Sequence, residues 1–185
     1  MKKILLATVL GCCALGAAAQ TMSTTHMTQE KDKQGAALPS PRMETSAMLG
    51  KAKITISYGS PSIKGREMST LVPTGKIWRL GANEATSLTS SGDLMIGTQH
   101  VPAGSYTLFI MPTETGWMLA INKQTGQWGL TYDESQDLGR TPLKSATLPS
   151  SQEKLSISIE DIKGGMGQLH IKWGTVNAST MIMAH

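Results

Sequence analysis

KITISYG, residues 53–59, decides the fold class. Ile54, Ile56 and Tyr58 fall on one side, with Lys53, Thr55 and Ser57 on the other. Successive side chains of a strand point to opposite faces, so this alternation marks a strand with one face buried and one in water. The same period returns at 117–122, where Trp117, Leu119 and Ile121 alternate with Met118 and Ala120. It returns again in Leu155, Ile157 and Ile159 between serines, and in Leu169, Ile171 and Trp173 around His170 and Lys172. Turn-forming clusters separate these runs: YGSP at 58–61, SGD at 91–93, PAG at 102–104, Thr115 with Gly116, and KGGMG at 163–167. No segment sustains a helical stripe, and 135–148 has room for one short helical turn at most. The expected fold is all-β: about eight to ten short strands in an antiparallel β-sandwich, with a closed β-barrel as the alternative that fits the same spacing. Phe109 is the single phenylalanine, so Met95, Met111, Met118, Met181 and Met183 are expected to fill the core.

Outward from these strands, the chain divides in three. Residues 1–19 have a basic head at Lys2 and Lys3, an apolar run over 4–10 and small residues at Ala17, Ala18 and Ala19. That is the layout of a secretory signal peptide cut after Ala19, implying a periplasmic or extracellular protein. The alternative is a membrane-anchored lipoprotein, because Val9, Leu10 and Gly11 lead directly into Cys12. The leader is too short and too rich in small residues for a transmembrane span. Both cysteines, Cys12 and Cys13, lie within it, so cleavage leaves a domain held by packing alone, without disulfide or thiolate. Residues 20–50 read as a flexible tether, rich in threonine, charge and proline, with His26 an isolated side chain. Residues 51–185 form a single β domain.

Charge narrows the partners. Losing Lys2 and Lys3 takes the basic count from 17 to 15 against 13 acids, and the formal charge from +4 to +2. The remaining cations are scattered singly, whereas a nucleic-acid footprint would cluster them on one face, so that class is set aside.

Four motifs follow one another: YGSPSIKGRE at 58–67, LVPTGKIWRLGANEAT at 71–86, PAGSYTLFIMP at 102–112, and Trp117 with LAIN at 119–122. With WGLTYDESQDLGR at 128–140 and IKWG at 171–174, their order resembles a family of exported bacterial proteins known as domain of unknown function 2911. The resemblance implies identity over nearly all of 51–183 and no activity. In place of an aromatic–glycine pair after Arg66, and of a tyrosine in the proline loop, this chain has Met68 and Ser69, and Thr74.

The polar centre is GKIWRLGANEATSL, residues 75–88. Arg79 falls opposite Trp78, Gly81 permits a tight path, and Asn83, Glu84 and Thr86 follow. Two readings stand side by side. Arg79 and Glu84 pair inside the domain, since an unpaired buried charge is costly. Otherwise Arg79 offers its fork of donors to a carboxylate, phosphate or sugar hydroxyl, with Glu84 as acceptor or general base. Lys64 and Arg66, in a glycine- and proline-bearing loop, can join Arg79 around an anion. Asp133, Glu134, Asp137 and Arg140 make a second polar loop. Its three acids suggest hard-oxygen calcium ligation, but the EF-hand pattern is missing.

No GxSxG, HExxH or phosphate loop is present, His100 and His170 stand alone, and neither a metal nor a cofactor is called for. The expected ligand-binding residues are Lys64, Arg66, Arg79, Asn83, Glu84, Thr86, Tyr132, Asp137 and Arg140. The expected partner is an anionic or polyhydroxylated small molecule. Two function classes remain: a non-catalytic binding or structural module of the cell envelope, or a small periplasmic hydrolase using Glu84 with a second carboxylate, Asp133 or Asp137.

Overall fold

The structure, a computed structural model, describes residues 23–28 and 37–185. The expected signal peptide and Cys12 lie outside the described residues. In the strand Ala52–Gly59 (β3) the alternation is realised: Ile54, Ile56 and Tyr58 are fully buried, while Lys53 is exposed and Thr55 and Ser57 are half-buried. The remaining strands are Thr24–Thr28 (β1), Arg42–Leu49 (β2), Ala82–Ser90 (β4), Leu94–Ile96 (β5), Gln99–Val101 (β6), Gly104–Pro112 (β7), Trp117–Asn122 (β8), Asp137–Lys163 (β9) and Met166–Ala184 (β10). One helical turn, Met68–Leu71 (α1), and one 3-10 turn, Glu134–Gln136, interrupt them.

Among the described residues all pairings are antiparallel and make one ten-stranded sheet in the order β1-β2-β3-β4-β7-β8-β9-β10-β5-β6. It does not close into a barrel. It doubles over through β9, whose start pairs with β8 over Asp137–Leu143 and whose remainder pairs with β10. The two expected sheets are thus one, joined by a 27-residue strand. Short strands describe β1 to β8 but not β9 and β10, which run 27 and 19 residues. Residues 135–148, read as the least regular stretch, hold the 3-10 turn and then run into β9.

Side chains of β2, of β3 and of Ser60 just after it stitch the doubled layers together. Thr45 Oγ1 donates to the Ile157 carbonyl at 2.6 Å, Ser60 Oγ donates to the Leu155 carbonyl at 2.7 Å, and Tyr58 OH accepts from Ile157 N at 3.0 Å. These contacts satisfy backbone groups of β9 that no strand pairs, groups that would otherwise be costly to bury. They also correct the tether reading. Arg42–Leu49 is a strand of the sheet, with Leu49 fully buried and Ala47 and Thr45 in the interior.

Leucine and isoleucine, not methionine, fill the core. Leu94, Ile96 and Ile182 point inward, and alternation turns their neighbours outward, so Met95 and Met183 are half-buried cross-strand partners and Met181 is 50 % exposed. Met111 and Met118 are likewise half-buried. In β7 both faces are covered: residues 106–110 are all buried, and Phe109 joins Ala85, Ala120, Ile77 and Tyr132 in a small second core. A continuous apolar run is the sign of a strand buried on both sides.

Candidate functional site

Residues 75–88 do not form one regular strand. Trp78 bridges Ile110, and Thr86 pairs with Leu108 only two residues away on β7, so 79–85 leave the ladder as an excursion. Thr86 closes it: its N donates to the Arg79 carbonyl at 3.3 Å and its Oγ1 to the Leu80 carbonyl at 2.7 Å. On the other flank, β3 crosses so closely that a Cβ on Gly59 would run into the Ala82 carbonyl, which makes glycine necessary there. Leu80 (φ 55°) and Asn83 (φ 64°) within the excursion, and Lys64 (φ 50°) in the facing loop, hold left-handed backbone. Such conformations are disfavoured in residues with side chains and gather at functional sites.

The excursion forms one wall of a cleft of 540 Å³, within the range usual for small-molecule sites. Arg79, Gly81 and Ala82 line it, with Lys64, Arg66, Pro61 and Ser62 opposite and Pro39 and Ser40 beside them. Trp78 and Trp173 form a further wall, their rings stacked at 5.3 Å and 11°. Beyond this pair is a narrow apolar fissure lined by Met68, Val72, Ile110, Trp117 and Leu155, so the indoles separate the cleft from the core.

The cleft is cationic. Arg66 spends its guanidinium on backbone carbonyls, Nε to Ile63 at 2.8 Å and Nη2 to Ser62 at 2.6 Å. Arg79 Nε donates to the Gly81 carbonyl at 3.1 Å, and among the described residues its two terminal nitrogens have no protein partner. None of Lys64, Arg66 and Arg79 belongs to an ion pair among the described residues. Burial lowers the Arg79 pKa from the usual arginine value. A guanidinium remains protonated at neutral pH, so Arg79 carries a partly desolvated charge with no counter-ion among the described residues.

Of the nine expected site residues, the structure brings Lys64, Arg66 and Arg79 together in the cleft. Arg79 and Glu84 do not pair. The excursion turns Glu84 toward β2, where its Oε2 lies 3.4 Å from Arg42 Nη1, and Asn83 Nδ2 lies 3.5 Å from the Ser40 carbonyl. With the Glu84 side chain 46 % exposed, this pair falls in the surface class, worth roughly 0–1 kcal/mol. Thr86 is buried and structural.

Tyr132, Asp137 and Arg140 form a separate network. Tyr132 OH donates to Asp137 Oδ2 at 2.7 Å, while Arg140 Nε reaches the same oxygen at 2.8 Å and Nη2 reaches Tyr132 OH at 2.7 Å. Asn122 Nδ2 occupies Asp137 Oδ1 at 2.8 Å, Glu134 takes Arg140 Nη2, and Asp133 accepts from Ser135. These oxygens are committed to donors around a central guanidinium, which opposes a cation. Among the described residues no group of three or more acids, histidines or cysteines is arranged to hold a metal.

Burial, then the hydrogen bond and charge of Asp137, push the Tyr132 pKa up to about 12. Burial raises Tyr58 and Tyr106 as well, and these are the three tyrosines of the chain. A raised phenol pKa favours the neutral form in the fold, so its contribution is full below the unfolded value and lost above it. Urea midpoints should therefore hold up to about pH 10, the ordinary phenol value, and fall between there and about 12. Tyr132→Phe should flatten part of that slope; midpoints that stay level across the window would contradict it.

Sequence reasoning missed Trp173, Pro39, Ser40 and Leu71 as cleft residues. Pro39 and Ser40 were hidden by the tether assignment. The signal for Trp173 was its place in IKWG, where a bulky residue alternates inward on the strand next to Gly174.

The family model for proteins of unknown function (DUF2911) matches residues 40–182, and the chain belongs to that family. The match begins at Ser40, one residue into the cleft's proline wall. Among curated proteins and among solved structures no match was found.

Proposed function

We propose that the chain is a non-catalytic binding module of the bacterial cell envelope, exported to the periplasm or beyond, that takes a small anionic ligand in the cleft between 61–66 and 79–82. The observation that carries the reading is the set of Lys64, Arg66 and Arg79 lining one cavity, with no carboxylate lining it among the described residues. An uncompensated, partly buried guanidinium is unfavourable alone and is relieved by a carboxylate or sulfate that accepts its terminal donors. The stacked indoles supply a flat apolar surface beside the charges.

The hydrolase reading has less support. Glu84 is held by Arg42 and is not a cleft residue, and both oxygens of Asp137 are occupied. A glycosidase pair needs two carboxylates facing one substrate.

Titration calorimetry with glucuronate, citrate and sulfate, against glucose as a neutral control, tests the proposal. At least one anion should bind, and glucose should bind more weakly. Arg79→Ala should weaken the anion about 10- to 100-fold, the worth of a hydrogen bond to a charged group. Its melting temperature should fall only modestly, because Arg79 makes a single bond to a backbone carbonyl and packs its stem against Gly129. Unchanged affinity in Arg79→Ala would overturn the site.

A further inference from the structure

Trp128 is 52 % exposed and Leu130 79 % exposed, two residues apart on the loop between β8 and β9. Such exposure is unexpected in a loop whose backbone is pinned. Gly129 N donates to the Asn83 carbonyl at 3.3 Å, Ala85 N to the Gln127 carbonyl at 3.4 Å, and Thr131 N to the Trp128 carbonyl at 2.9 Å. Trp128 itself forms a bridge with Glu84. The loop therefore lies along the excursion, and Gly129 packs on a cleft residue: a Cβ there would run into Arg79 Cδ. Arg79 lines the cleft on one side and supports Gly129 on the other. Trp128, with its exposed indole, is thus the chain neighbour of the glycine packed on the cleft's cation, on a backbone held by these hydrogen bonds.

We propose that the binding site continues from the cleft over Arg79 onto Trp128, and that its ligand is an acidic oligosaccharide spanning both. This deepens, and rests on, the anion-binding reading of the cleft. Three features select the class. A sugar ring presents a face of C–H groups, partly positive, that complements the negative face of an indole. Trp78 lines the cleft with Arg79, and Trp128 adjoins the glycine packed on Arg79, so two such indoles neighbour the cation that would take a carboxylate. A ring-and-charge repeat fits that grouping.

An acidic peptide fits less well. Peptide recognition by strand addition needs a row of free main-chain groups. The cleft's loop walls carry Pro39 and Pro61, which lack N–H, and the neighbouring amides are spent: Ser60 N on the Pro41 carbonyl, Ile63 N on Glu153, Leu155 N on Pro61.

The test is titration of the full exported chain with galacturonate and with oligogalacturonides of increasing length. Parallel arms use neutral cello-oligosaccharides, an oligoglutamate and an oligothymidylate. In the parent, affinity should rise by about tenfold from the monosaccharide to the longest chain, ~1.4 kcal/mol. Trp128→Ala should abolish that gain while leaving monosaccharide affinity unchanged, and Trp128→Phe should recover part of it. The exposed side chain makes both variants fold like the parent, which their melting curves check. Monosaccharide binding with no gain by length, or an equal gain in Trp128→Ala, would overturn the extended site and leave the anion cleft standing. Absence of binding by any acidic ligand would overturn the anion reading as well. A larger length gain with the peptide, the nucleotide or the neutral chains would overturn the acidic-saccharide class.

Discussion

A chain that begins at residue 50 should show no cooperative unfolding transition. Such a truncation removes β2, every residue of which is paired with β3, from Arg42 opposite Gly59 to Leu49 opposite Ala52. It removes the fully buried Leu49 and the Thr45 hydroxyl that serves the Ile157 carbonyl. Truncating one buried leucine to alanine costs about 2–5 kcal/mol, and an entire domain is stable by only about 5–15 kcal/mol. Loss of a whole strand, with an open edge left on β3, exceeds what the remainder can supply. A chain that begins at residue 37 is the control. It loses β1, all five residues of which are exposed, and its melting temperature should fall by no more than about 5 °C, near 1 kcal/mol for a domain of this size. A two-state transition in the shorter chain, within that same margin of the full one, would show that β2 is dispensable after all.

The tether reading failed for a physical reason visible in the residues. RMETSAML, the sequence of β2, puts Thr45, Ala47 and Leu49 inward. Only one of those three is strongly apolar, so the period-two signal is weak. The strand is held by its ladder and by a threonine hydroxyl bonded across the layers, which no hydrophobic pattern reports. By contrast Ile54, Ile56 and Tyr58, Leu155 to Ile159 and Leu169 to Trp173 were legible, because each inward position carries a large apolar side chain. Alternation also told which way Met95, Met181 and Met183 would face, had it been applied to their strands. Composition suggested core filling, and position overrode it. The doubling of the sheet through β9 was not legible, since pairing partners and bends are set by contacts far apart in sequence.

The candidate site was half legible. The cations Lys64, Arg66 and Arg79 were singled out from two separate motifs, and the cleft unites them. What sequence could not give was the direction of each side chain through an irregular excursion. Arg79 and Glu84 are close in sequence and would meet across a regular turn. Left-handed backbone at Leu80 and Asn83 sends one to the cleft and the other to Arg42. Asp137 and Arg140 were read as members of one polar loop, and with Tyr132 they satisfy one another.

Trp173→Ala should cost about 3–5 kcal/mol, the range for emptying a large aromatic position in a core, and should damage the cleft with it. The Trp173 ring is 4 % exposed, stacks on Trp78, and its Nε1 donates to the Glu153 carbonyl at 3.2 Å. It stands between the cleft and the apolar fissure, so its removal joins the two into one larger void and leaves Trp78 without backing. Trp173→Phe separates the two consequences. It keeps a ring under Trp78 and gives up the N–H, whose partner is not orphaned, because the Glu153 carbonyl also accepts from Ile63 N at 3.0 Å. That variant should lose only about 1–2 kcal/mol, the cost of partial core truncation and one hydrogen bond, and retain anion binding. Urea denaturation with an unchanged slope would assign the difference to the native state. If Trp173→Ala lost less than about 1 kcal/mol, the usual cost of an average substitution, the indole stack would not be a supporting wall. The platform assigned to Trp78 would then have to be held by other contacts.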